Sequence, residues 1–120
     1  MLDRKGVPWE SVRLRDSTRK FLTQLSRGVF DERIRYIVLF GSEARGEANL
    51  FSDVDIAVVS DEPITQTQKL SILDAVDEDV EVEVDYRLVS TRTKDLDCDH
   101  FMNVNYHIKR EGLVIYEKSI

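Results

Sequence analysis

Asp53 and Asp55 stand one residue apart at the head of an apolar run, in "SDVDIAVVS". On a strand, residues two apart leave the same face. Two like charges so placed raise the cost of ionising each other. A divalent ion such as Mg²⁺ removes that cost, takes oxygen ligands and keeps places for water and substrate phosphate. Upstream, Gly41 and Ser42 close a second apolar run, "IRYIVLF". Glycine lets backbone approach a ligand, serine adds a hydroxyl, and the free N–H groups at the start of a helix favour phosphate. Arg45 can reach a phosphate or pair with Glu43 or Glu47. Asp85, in "VEVEVDYRLVS", is the candidate third carboxylate, and Glu83 competes for that role from the same face. Taken singly, each part has a plain structural explanation: a capped turn, or a solvated strand end. Taken together they outline metal-assisted chemistry on a phosphate.

Certain elements must position these groups. Pro8 opens a helix that carries Val12, Leu14, Phe21, Leu22 and Leu25 and ends at Gly28. Residues 34–40 and 53–60 read as buried strands, with a short helical turn closing at Gly46 and a loop between them. Pro63 opens a helix over 64–79 with Ile64, Leu70, Leu73 and Val76 as its stripe. Residues 80–90 alternate sharply, with Val80, Val82, Val84, Tyr86 and Leu88 on one face and Glu81, Glu83, Asp85 and Arg87 on the other, and predict a strand. Residues 91–99 read as loop, "HFMNVNYHIKRE" as a last helix with Gly112 as its C-cap, and "LVIYE" as a final strand. The order predicts an α+β layered fold: a sheet of about four strands flanked by helices. Parallel and antiparallel pairing stay open, although the short loop after Gly46 favours antiparallel neighbours for the first two strands.

The chain has 120 residues, enough for one domain with one core. Its net charge of −6 is uneven: residues 1–40 carry +4 and residues 41–120 carry −10. An acidic second half repels nucleic acid and argues against a general DNA or RNA binder. Clustered carboxylates suit a metal site instead. Cys98 is the single cysteine, so no disulfide forms within the chain. No run approaches a membrane span and the N-terminus lacks a signal-peptide pattern, which places the expectation in the cytoplasm. His100 and His107 lie seven apart on the last helix, a poor pattern for metal. Trp9, Phe101 and Tyr106 suit either an interface or the core. Arg13, Arg15, Arg19 and Lys20 suit either a partner-binding face or a solvated one.

Gly41-Ser42, ten intervening residues, then Asp53-x-Asp55 resembles the signature of the DNA polymerase beta-like nucleotidyltransferase superfamily. The fuller string "GSEARGEANLFSDVDIAVV" and the ending "IKREGLVIYE" are similar to its small members, the minimal nucleotidyltransferases. The likeness spans roughly residues 34–116. It implies a mixed sheet with flanking helices and a Mg²⁺-dependent transfer of a nucleoside monophosphate from an NTP, with ATP the family's habit. It implies that Gly41, Ser42 and Arg45 hold the triphosphate and that Asp53, Asp55 and Asp85 hold metal, two ions in the fullest form. It also implies an antitoxin whose partner is a HEPN-type toxin, silenced by modification of a tyrosine. The alternative is a module that neutralises its partner by contact alone, with a relic metal site.

Overall fold

A computed structural model describes residues 2–118. Its strands are β1 (Ile34–Phe40), β2 (Val54–Ser60), β3 (Tyr86–Arg92) and β4 (Leu113–Glu117). They form one mixed sheet in the order β3-β2-β1-β4. The pairs β1–β2 and β1–β4 are antiparallel, and β2–β3 is parallel. The expected four-stranded mixed sheet and the antiparallel first pair are therefore both present. The helices are α1 (Asp16–Ser26), α2 (Gln66–Ser71), α3 (Glu78–Glu81) and α4 (Val104–Glu111), with 3₁₀ turns at Trp9–Ser11, Ile72–Ala75 and Thr93–Asp95.

Strand alternation sorts the core into two layers. Ile37 and Leu39 of β1 and Val54, Ile56 and Val58 of β2 pack with Phe21, Leu22 and Leu25 of α1. Val38 and Phe40 of β1 and Ala57 and Val59 of β2 pack on the other face with Leu96, just after the 3₁₀ turn at Thr93–Asp95, and Ile108 of α4. Both central strands are covered on both sides, which explains their nearly unbroken apolar sequences. Asp55 shares parity with Ala57 and Val59, so it lies on the α4 face.

The helical segments depart from expectation in three places. The first helix begins at Asp16, not near Pro8, because Val12 and Leu14 reach the core from an extended segment in which residues two apart share a face. The helix expected over 64–79 is broken. Thr65 caps α2 with a full capping box, the chain tightens to 3₁₀ at Ile72–Ala75, and Val76 is extended before α3. The strand expected over 80–90 starts only at Tyr86. Val80 and Val84, four residues apart, are buried, whereas Val82 between them is 76% exposed. That is a helical burial pattern, and the α3 turn satisfies it better than a strand would. β3 then runs through residues assigned to loop, ending at Arg92. Stacking of Tyr86 on Phe21 (5.6 Å between centroids) and its hydroxyl bond to Glu81 (2.9 Å) fix where β3 begins. Burial, then Glu81, push the Tyr86 hydroxyl above its ordinary pKa.

The last helix is also shorter than its sequence suggests. It begins at Val104, where Asn103 caps it by accepting from the Asn105 N–H at 2.8 Å. Gly112 ends it in an extended conformation, not the left-handed one expected of a C-cap glycine. Trp9 is buried in the core, Phe101 is 64% exposed, and Tyr106 is half-buried with Arg110 over its ring at 4.2 Å. Among the described residues no helix is long and apolar enough to cross a membrane.

Candidate functional site

The site forms where β1 stops and β2 starts, side by side in the antiparallel pair. Phe40 and Asp55 are register partners. The next residue, Gly41, has φ +80, a conformation that glycine adopts freely. Its missing Cβ also makes the room that Asp55 needs, for a Cβ there would lie 2.2 Å from Asp55 Oδ2. The glycine turn and the second aspartate are thus one steric unit.

Residues 42–46 follow as hydrogen-bonded turns, a single turn that does not continue into a regular helix. Arg45 N–H donates to Gly41 C=O (3.2 Å) and Gly46 N–H to Glu43 C=O (3.0 Å). Side chains hold this loop from outside. Glu43 is buried, 1% exposed, and accepts from Thr18 of α1 and from Arg15 Nε at 2.6 Å. The other end of Arg15 donates to Asn49 C=O at 2.8 Å, and Arg4 donates to Ala44 C=O at 2.8 Å. A buried carboxylate needs such partners, because desolvation disfavours an unpaired charge. Arg15, read as part of a basic face, is therefore a loop-fixing residue, and Glu43 pairs with it and not with Arg45. Replacing Glu43 with glutamine is expected to destabilise the fold by about 1–3 kcal/mol, since Arg15 loses its charged partner. Urea unfolding measures it, and an unchanged midpoint would remove Glu43 from this role.

Asp53 and Asp55 occupy adjoining positions on the α4 face of the sheet, the first one residue ahead of β2. The Asp55 side chain is 11% exposed and that of Asp53 49%. Across the parallel pair, Asp55 faces Arg87. Arg87 Nε and Nη2 donate to Asp55 Oδ1 at 2.8 and 2.7 Å, and Nε lies 4.0 Å from Asp53 Oδ2. The bond to Asp55 holds the Arg87 guanidinium above its ordinary pKa. Asp85 stands exposed one residue before β3, beside Asp53, and its C=O accepts from Val54 N–H at 2.8 Å. Glu83 lies in the turn before it and outside any strand, so the shared strand face that made it a competitor does not form.

The donor set fits a hard cation. Asp53 and Asp55 supply carboxylate oxygens, the ligand class Mg²⁺ takes, and the missing Cβ of Gly41 makes room for the Asp55 carboxylate at the cleft. Arg87 is the positive group now paired with both. Among the described residues, no three carboxylate, imidazole or thiol side chains are gathered closely enough to share an ion. The two histidines form no such group: His107 Nε2 bonds Phe101 C=O (2.8 Å), and His100 Nδ1 accepts from Met102 N–H (3.2 Å).

Arg45 closes the opposite wall. It pairs with Glu47 (3.0 Å) and with Glu111 (2.9 Å), and these bonds, Glu47 first, raise its pKa. Glu111, the last residue of α4, also accepts from Gly41 N–H at 3.0 Å. Gly41, Ser42, Arg45, Asp55, Arg87 and Glu111 all line one cleft of about 510 Å³. Met102, Val104 and His107 line its α4 side. From the sequence, Arg87 is placed on the face of Asp85 but given no role, and Glu111 is not singled out. Arg87 had a signal, since it sits two residues from Asp85 and must share its face on a strand. So did Glu111, as an acid at a helix C-terminus, where the helix dipole disfavours it.

Residues 28–120 match the model of the family described as polymerase beta, nucleotidyltransferase. Comparison with curated proteins returned no match. Among solved structures the fold is similar to that of a toxin–antitoxin crystallised with AMP-PNP. The TM-score there is 0.54 at 18% identity, over 88% of this chain and 76% of that one. It is similar also to a mutant of the toxin–antitoxin MntA–HpeT, with TM-score 0.54 and 14% identity over the same shares. At such identities the likeness shows a shared fold. The family match covers β1 to β4 and every candidate site residue, and the general chemistry it carries is nucleotidyl transfer. This chain belongs to the polymerase beta nucleotidyltransferase family.

Proposed function

We propose that the chain is a Mg²⁺-dependent nucleotidyltransferase that moves AMP from ATP onto a hydroxyl of a partner protein, in the manner of an antitoxin acting on a tyrosine of a HEPN-type toxin. One observation carries the reading: the glycine turn and Asp55, the second aspartate of the pair, are sterically interlocked inside a single cleft. Gly41 N–H, the Ser42 hydroxyl and Arg45 bind and orient the β- and γ-phosphates. Asp53 and Asp55 hold Mg²⁺, which supplies charge neutralisation on the α-phosphate and the leaving pyrophosphate. Arg87 turns away from Asp55 as they do so, which its largely exposed side chain permits. The acceptor oxygen attacks the α-phosphorus, the bond to the bridging oxygen breaks, and pyrophosphate departs. Asp85 takes the hydroxyl proton. Phosphoryl-type transfer asks mainly for positioning and charge from the protein.

The AMP-PNP in one solved toxin–antitoxin supports the choice of ATP, and the toxin–antitoxin character of both neighbours supports the protein partner. Exposed apolar side chains support a macromolecular acceptor: Met102 lines the cleft at 75% exposure with exposed Phe101 next to it in the chain, and Leu50 and Phe51, 89% and 94% exposed, come just before Asp53. The decisive experiment incubates the chain with its partner, Mg²⁺ and ATP labelled at the α-phosphate. Label should move to the partner and pyrophosphate should appear. Replacing Asp85 with asparagine should slow that transfer by about 10²-fold while leaving MgATP binding intact. Equal loss of binding would instead assign Asp85 to the metal.

A second reading has its own observation. Arg87 already neutralises Asp55 and approaches Asp53, as a cation would. A module that acts by contact alone can keep such a pair permanently. It predicts neutralisation of the partner without label transfer, the opposite result in the same tube.

A further inference from the structure

Glu111 has two features that its helix does not explain. An acidic residue at the C-terminal end of α4 faces the negative end of the helix dipole. Its side chain is largely buried at 19% exposure. The surroundings account for both. Oε2 accepts from Gly41 N–H at 3.0 Å, Oε1 accepts from Arg45 Nη1 at 2.9 Å, and Oε1 lies 3.7 Å from His107 Nδ1. A backbone N–H and a guanidinium are the donors an incoming phosphate oxygen seeks. Glu111 presents them with two oxygens and one negative charge, the same pattern a phosphoryl group presents.

We propose that Glu111 is an internal competitor for the phosphate seat and sets its selectivity. Its carboxylate holds the Gly41 and Arg45 donors until a ligand displaces it. A lone phosphate offers little more than the carboxylate it must replace. A metal-bound triphosphate adds contacts at Asp53, Asp55 and Ser42, and so exchanges with Glu111 where a single phosphate does not. The inference rests on the nucleotidyltransferase reading for the identity of the triphosphate. The donors and their present occupant are independent of it.

Calorimetric titration of the full chain with MgATP, and separately with inorganic phosphate, tests the idea. The comparison is between the unmutated protein, Glu111→Gln and Glu111→Asp, each first checked by thermal melting. Glutamine keeps the shape and removes the charge. Aspartate keeps the charge but is one methylene short of Gly41 N–H. If Glu111 competes by contact, both variants bind MgATP about tenfold tighter. Inorganic phosphate, weak on the unmutated chain, gains at least as much, so the preference for triphosphate narrows. Equal or weaker MgATP binding by a well-folded Glu111→Gln makes Glu111 a positioning group for Arg45, and overturns the inference while the nucleotide reading stands. An aspartate variant that matches the unmutated chain also overturns it, because charge without contact would then suffice. No MgATP binding by any of the three proteins overturns the nucleotide reading together with the inference.

Discussion

Asparagine at position 55 is expected to lower nucleotidyl transfer by about 10³-fold with the fold retained. The substitution keeps the side chain's size, so the contact with Gly41 survives in outline. What it removes is the charge of the least exposed carboxylate of the pair. In the proposed reaction that charge holds a divalent ion against the triphosphate, and it also binds Arg87 at 2.7 Å. Losing a single preorganised electrostatic group at such a centre commonly costs about 10²–10³ in rate. Asp55 is placed toward the upper end because Asp53, its neighbour, is half exposed and better solvated. Release of pyrophosphate from MgATP in the presence of the partner is the measurement, with thermal melting as the control. A variant that keeps more than about a tenth of the transfer rate would show that Asp55 does not hold the ion.

Alanine at position 41 is expected to damage stability and activity together. The left-handed backbone costs a residue with a Cβ about 1–2 kcal/mol. Beyond that strain, the new Cβ would stand 2.2 Å from Asp55 Oδ2, so the carboxylate must move. Transfer should fall by about 10²-fold or more as Asp55 leaves its place. Gly46 supplies the control. Its φ of +72 carries comparable strain, but a Cβ there meets no other atom within 4 Å. Gly46→Ala should therefore lose stability by about 1–2 kcal/mol and keep its transfer rate. If both alanines affect transfer equally, the interlock between Gly41 and Asp55 is not what shapes the site.

The strands at the centre were legible in sequence because burial on both faces leaves one reading for a short apolar run. "IRYIVLF" and "DVDIAVVS" became β1 and β2 nearly residue for residue. The alternating stretch from Val80 misled for an equally physical reason. Valine every second residue contains valine every fourth, so the same letters satisfy a strand and a helical turn. The neighbours decide between them, and α1 decided for Val80 and Val84 while leaving Val82 in solvent. Residues 64–79 broke because Val76 needed an extended backbone to reach the core, a demand with no local signal.

At the site, the sequence determined which chemistry was available. The glycine–serine pair and the spaced aspartates offer, when taken together, the donors and oxygens that phosphate and hard cations accept. Their spacing also implied that two adjacent strands would carry them to one edge. Only the tertiary structure decided what those groups meet. Arg87 reaches Asp55 through the register of a parallel pair, and Glu111 reaches Gly41 from seventy residues away. Long-range pairing depends on how layers stack, and a linear pattern, which encodes faces but not partners, does not carry it.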